Sequence, residues 1–242
     1  MKTNVFALLL AGMSLMLFSC DINDNHVVPS SKVTTQQFTM SDFDMIDASS
    51  AFSVYVTFSD TEESIEIEAN DNLHQHIEVK KVNNVLEIGF ENNFHVTGSA
   101  RLNAYVKTKH VSGYMASGAS RFIVEDPIID NEVSVYLSGA SNFSGVIEAN
   151  KLFADLSGAS VMYVEGVSNS MDIRATGASV IKDYGFETKI LKADLSGASN
   201  AQMTVLEEID IEASGASNLK YKGNAVIAYQ DLSGASSIKK VN

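Results

Sequence analysis

Tryptophan is absent from this chain of 242 residues, cysteine occurs once, at Cys20, and proline occurs twice. A single cysteine excludes an internal disulfide and any paired-cysteine metal or redox centre. Two prolines and 15 glycines, about half of them in one recurring phrase, exclude a collagen-like or Pro/Gly-rich disordered chain. Basic residues are scarce: 17 Lys and Arg stand against 30 Asp and Glu, for a formal charge of −13. Such a surface repels nucleic acid and anionic lipid, and no basic cluster offsets it, so neither is expected as a partner. The calcium nonapeptide GGxGxD, GxSxG, HExxH and phosphate loops are also missing, and no Ser, His and Asp fall into an arrangement that suggests a triad. What remains, 45% hydrophobic by composition, is enough for one sizeable domain without staples.

The long apolar run of the chain lies at its start. Lys2 precedes an almost unbroken apolar stretch from Val5 to Phe18, too short and too polar at its exit for a stable membrane span. It ends in Leu17-Phe18-Ser19-Cys20, which resembles the bacterial lipobox, where a leucine and a small residue present the cysteine for lipid transfer and cleavage. Met1 to Ser19 is therefore read as a lipoprotein signal peptide and Cys20 as the lipidation site. Several acyl chains on one cysteine would hold the protein to a membrane, its only expected membrane contact. Residues 20–35, opening Asp21-Ile22-Asn23-Asp24-Asn25, have no periodicity and are expected to be a flexible tether. Acids directly after the cysteine resemble surface-export signals of some Gram-negative lipoproteins and equally suit a solvated linker. The expected location is the outer membrane, at the cell surface or on the periplasmic face.

From Ser117 to Ser236 the phrase SGAS, once TGAS with Thr176 for serine, returns seven times, with glycines at Gly118, Gly139, Gly158, Gly177, Gly197, Gly215 and Gly234. The steps are 21, 19, 19, 20, 18 and 19 residues, a solenoid period in which each repeat buries its apolar face by stacking on the next. Before the five glycines from Gly139 to Gly215, apolar residues alternate strictly, as in Leu152, Ala154, Leu156 or Ile209, Ile211, Ala213, with mostly polar residues between. Period two excludes helical repeats. Equivalent strands one coil apart must run parallel, and parallel crossovers are right-handed. The expected fold is all-β: a right-handed parallel β-helix with irregular N-terminal coils, one domain over Gln36–Asn242. Irregularity is expected in the first third, where Asp71 to His76 suits a helical turn, IDASSAFSVYV from Ile46 looks like a degenerate coil, and VTGSA around Gly98 looks like another.

The opening DFDMIDASSAFSVYVTF from Asp42, ESIEIEANDNLHQHIEVKKVNNVLEIGF from Glu63 and the repeated SGAS together resemble the putative auto-transporter adhesin family with the head GIN domain. The resemblance spans Phe38 to Asn242 and implies a β-helical cell-envelope protein, with adhesion given by the family's name. It supplies no catalytic residues.

Three residue patterns invite a chemical reading. Asp155, Arg174, Asp194, Glu212 and Asp231 lie three residues before successive glycines, so they should form one outward column. Two acids about 5 to 9 Å apart could serve a glycosidase, but with no aromatic residue seen to stack a sugar the column reads as a solvated ladder bridged by Arg174. His74, His76 and Glu78 would share a face if extended, giving a metal site; a helical turn separates them, and no metal or other cofactor is expected. Serines before each glycine and serines two residues after it form two hydroxyl columns. Alternation puts the second column on the core face, bonded to one another and to backbone along the stack; a bend at glycine would reverse this and turn it outward as a flat strip of hydroxyls suited to a glycan or to ice. The expected function is a non-catalytic binding module, an adhesin for a glycan or surface-protein ligand of unknown identity. The alternatives are a carbohydrate-active β-helix enzyme and a periplasmic scaffold that self-associates through its open end.

Overall fold

The recurring phrase is a corner. A computed structural model describes residues 26–242, and every SGAS glycine there has a positive φ, from 70° to 75°. Each corner sits directly on the one before it. The amide of the alanine after the glycine donates to the glycine carbonyl of the preceding coil, as from Ala159 to Gly139 and from Ala178 to Gly158, both at 2.7 Å. A Cβ built on Gly177 would stand 2.5 Å from the Gly158 carbonyl oxygen, so both the backbone angle and the close approach demand glycine.

Strands run into and out of each corner and pair in parallel with their equivalents on neighbouring coils. Asn142–Leu156 pairs with Val161–Ala175 from Asn142↔Val161 to Leu156↔Ala175, and Val161–Ala175 pairs in turn with Phe186–Leu195. The ladder continues through Asn200–Ala213 to Val226–Leu232 and Ser237–Lys240. Register shifts occur between Thr188 and Ile190 and between Ile209 and Asp210, and they absorb the uneven steps between glycines.

Two core columns carry the packing before the corner. In successive coils they hold Tyr114 with Ala116, Val135 with Leu137, Ala154 with Leu156, Ile173 with Ala175, Ala193 with Leu195, and Ile211 with Ala213, all buried. In nearly every coil one small residue meets one large one, which keeps the filled volume even along the axis. After the corner, Phe122, Phe143, Met162, Ile181, Ala201 and Leu219 stack in a third buried column. Tyr114 stands edge-on to Phe122 and Phe143 and donates its hydroxyl to the Val111 carbonyl at 3.0 Å.

The N-terminal third is built differently. The degenerate coil exists: Met45–Ala48 and Ser53–Phe58 pair in parallel with Gly113–Ala116 and Arg121–Val124, and Ser50 and Ala51 turn the corner with φ of 61° and 66°. The next coil outward comes from later sequence, with Val85–Phe90 parallel to Met45–Ala48 and Leu102–Thr108 parallel to Ser53–Phe58. Antiparallel strands then close this end. Ile77–Val82 pairs with Val85–Phe90, Ser64–Asn70 with Leu102–Thr108, and Val33–Phe38 with Ser64–Asn70. The expected helical turn is a 3-10 helix at Asp71–His76.

Two expectations are corrected here. Gly98 is not a stacked corner: nothing lies within 4 Å of where its Cβ would be, and the corner next to Gly118 is that of Ser50 and Ala51. Residues 20–35 are not a free tether where they are described. His26–Val27 pairs with His95–Val96, Ser30 accepts from Asn70 Nδ2 at 2.7 Å, and Val33–Phe38 joins the sheet. The expected signal segment Met1–Ser19 and the expected lipidation site Cys20 lie outside the described residues.

Candidate functional site

The outward column is in register as expected. Asp155 pairs with Arg174, Arg174 with Asp194, Asp194 with Glu212, and Glu212 with Asp231. A second outward column beside it holds Phe153, Asp172, Lys192, Asp210 and Tyr229, and the two enclose an open depression of about 360 Å³. Arg174 does not bridge its acidic neighbours. Its guanidinium carbon lies 5.7 Å from the centre of the Phe153 ring, and Phe153 in turn packs on Tyr136 at 5.5 Å. Nor does the surface lack aromatic residues, because period two hides the second column from a search along the first.

The serine columns divide as alternation requires. Ser120, Ser141, Ser160, Ser179, Ser199 and Ser217 are buried, while the serines before glycine are half-buried or exposed at the rim. The buried hydroxyls do not bond to one another. Each from Ser141 onward donates to the carbonyl three residues back in its own corner, as Ser160 does to Ser157 and Ser179 to Thr176, both at 2.7 Å. The Ser120 hydroxyl is buried without a partner.

His74, His76 and Glu78 do not converge. His74 is buried with Nε2 3.0 Å from the Thr34 carbonyl; His76 places Nδ1 2.6 Å from Glu91 and stacks on Phe94; Glu78 takes a hydrogen bond from Lys80 at 2.9 Å.

A groove of about 400 Å³ opens on the outer face of the N-terminal sheet, and no sequence motif pointed to it. Cross-strand pairing builds its floor from four distant segments: Gln37 lies opposite Glu66, Glu66 opposite Tyr105, and Tyr105 opposite Tyr55. The two tyrosine rings are 5.1 Å apart and 17° from parallel. Lys107 closes one side in an ion pair with Glu62 at 2.8 Å, and Glu125 stands exposed at another. Below the groove, Glu68 accepts from Arg101 Nε at 3.1 Å and from Asn103 at 2.7 Å, and the Tyr105 hydroxyl donates to it at 3.3 Å. The Arg101 hydrogen bond, then that of Asn103, holds the Glu68 carboxyl below its ordinary range, while burial raises the Tyr105 phenol. The signal was present in the phrases SVYV and NAYV, which set Tyr55 and Tyr105 at equivalent outward positions of two strands.

A family model described as "Putative auto-transporter adhesin, head GIN domain" matches residues 42–225, and the chain belongs to that family. The fold recurs in solved structures. A putative adhesin from Bacteroides fragilis aligns with a TM-score of 0.81 at 22% identity, over 89% of this chain and all of the other. A putative adhesin from Parabacteroides distasonis aligns at 0.72 and 20% identity, and a putative lipid binding protein from the same species at 0.70 and 16%, each over 90% of this chain and 100% of its own. No curated protein matches the chain. The family's description points to adhesion at the cell envelope, and the solved structures, at 16% to 22% identity, share the fold. Among the described residues no helix is long and apolar enough to cross a membrane.

Proposed function

We propose that this protein is a non-catalytic binding module of the cell envelope, a lipoprotein held to the outer membrane through Cys20 and acting as an adhesin. One observation carries the reading. From Val133 to Leu232 the parallel register repeats the same outward positions coil after coil, so that Phe153 and Asp155, Asp172 and Arg174, Lys192 and Asp194, and Asp210 and Glu212 stand in two straight columns. Weak contacts repeated at about 4.8 Å spacing along a rigid rod add as linked binding events do. The ligand class is a glycan or protein on a facing surface.

Protease shaving of intact cells, with a periplasmic protein as internal control, tests the reading. Removal of the chain while the control survives is expected, together with release of a Cys20→Ala variant from the membrane fraction. Protection of the chain until the outer membrane is broken would exclude adhesion. Retention of C20A at the membrane would exclude the lipid anchor.

A further inference from the structure

We infer that the groove over Tyr55 and Tyr105 is a docking site for an arginine or lysine side chain of a protein partner. The first argument comes from how this molecule treats three of its other outward aromatic rings. Phe153 lies beneath Arg174 at 5.7 Å, Tyr163 beneath Lys182 at 5.5 Å, and Tyr184 beneath Lys222 at 5.1 Å, each cation supplied by the chain itself. A cation over a ring face is attracted by the ring's quadrupole. Among the described residues no cation lies over Tyr55 or Tyr105, although their stacked pair offers the larger aromatic surface.

Charge is the second argument. The cations near the groove are already committed, Arg101 to Glu68 at 3.1 Å and Lys107 to Glu62 at 2.8 Å. Among the described residues Glu66 has only a long contact to Gln37, 3.5 Å, and Glu125, exposed at the groove, has no ion pair. Two carboxylates thus face an open space beside two π-faces, inside the field of a chain of net charge −13. The volume, about 400 Å³, suits one extended side chain and its flanking backbone. A neutral saccharide would use the rings and leave the charge uncompensated; a basic side chain uses both. The site is separate from the outer ladder of the coils and stands whether or not that ladder binds anything.

The test is a titration of the full chain in detergent, its tyrosine rings carbon-13 labelled, with a blocked Gly-Arg-Gly peptide and its neutral counterpart Gly-Gln-Gly. Ring signals of Tyr55 and Tyr105, assigned by their loss in Tyr55→Phe and Tyr105→Phe, are expected to move with the arginine peptide and not with the glutamine one. Raising salt from about 50 to about 500 mM should weaken the binding several-fold. Glu66→Gln should weaken it about two- to fivefold, Tyr105→Ala should abolish it, and Asp194→Asn on the distant ladder should leave it unchanged. Equal shifts with the glutamine peptide, no shift at all, or undiminished binding by Y105A would each overturn the proposal. Maltose moving the same signals more strongly than the arginine peptide would overturn it in favour of a saccharide. None of these results bears on protease shaving, so the adhesin reading fails or survives separately.

Discussion

Gly177 and Gly98 both have positive φ, at 75° and 102°, and to a reader of sequence both look like copies of one corner. They differ in what surrounds them. A methyl group on Gly177 meets the Gly158 carbonyl, whereas one on Gly98 meets nothing within 4 Å. Gly98→Ala should therefore cost only the backbone penalty, about 1–2 kcal/mol. Gly177→Ala adds a clash that can be relieved only by separating two coils, and should cost about 3 kcal/mol or more. Urea denaturation of the two variants measures the difference, and equal costs would mean that the corner stack is not tight. The buried serines offer a second contrast. Ser179→Ala removes a buried hydrogen bond of 2.7 Å and should cost about 1 kcal/mol. Ser120 is just as buried but its hydroxyl has no partner, so Ser120→Ala should be neutral or stabilising in the same assay.

At the scale of strands, the pairing of Met45–Ala48 with Val85–Phe90 sets Asp47 directly beside Glu87. Half-burial first, and the Glu87 charge second, raise the Asp47 carboxyl above its ordinary value. The folded state then holds this proton more tightly than the unfolded one. Raising the pH through the window that begins near the ordinary Asp value, about 3.9, therefore removes stability; below that value the proton is bound in both states and the effect vanishes. Asp47→Asn should raise the thermal midpoint at neutral pH, by a screened contribution of less than about 1 kcal/mol, and the gain should disappear near pH 3. A gain independent of pH would refute the electrostatic cause. This pairing also marks where sequence reading stops. The seven corners were legible because each is a contiguous phrase recurring at a fixed distance, and the outward column followed from alternation alone. The end cap was not legible. Its strands pair antiparallel across long stretches of chain, and the coil holding Val85–Phe90 stacks outside one that precedes it in sequence. Tyr55 and Tyr105 are neighbours only because of that reordering. No periodicity links them, so the groove could have been found only by noticing that SVYV and NAYV align.

The two ends of the whole molecule are unlike. Antiparallel strands cover the N-terminal end, whereas Val226–Leu232 and Ser237–Lys240 pair on one side only, leaving Val226 68% and Tyr229 50% exposed. An open parallel edge with apolar residues is a template for stacking another copy. Two of the inward columns, however, change character at the last coil, while others end in Leu232 and Ile238. The column of Tyr114, Val135, Ala154, Ile173, Ala193 and Ile211 ends in Gln230, and the column of Met203 and Tyr221 ends in Lys240, whose ammonium reaches Asn224 Oδ1 at 3.3 Å. A charge and an amide placed where the core would continue make a polar plug, because a second copy docking there would take the amide out of water and bury a charge held only by the Asn224 amide oxygen. Gln230→Val with Lys240→Val should remove that obstacle and produce end-to-end dimers or longer rods, seen in sedimentation velocity at concentrations where the parent chain remains monomeric. The charge on Lys240 should matter more than the amide, so K240V alone should give most of the association and Q230V alone little. A double variant that sediments as a monomer, or a parent chain that already stacks through this end, would show that the terminal coil is not protected by its inward polar residues.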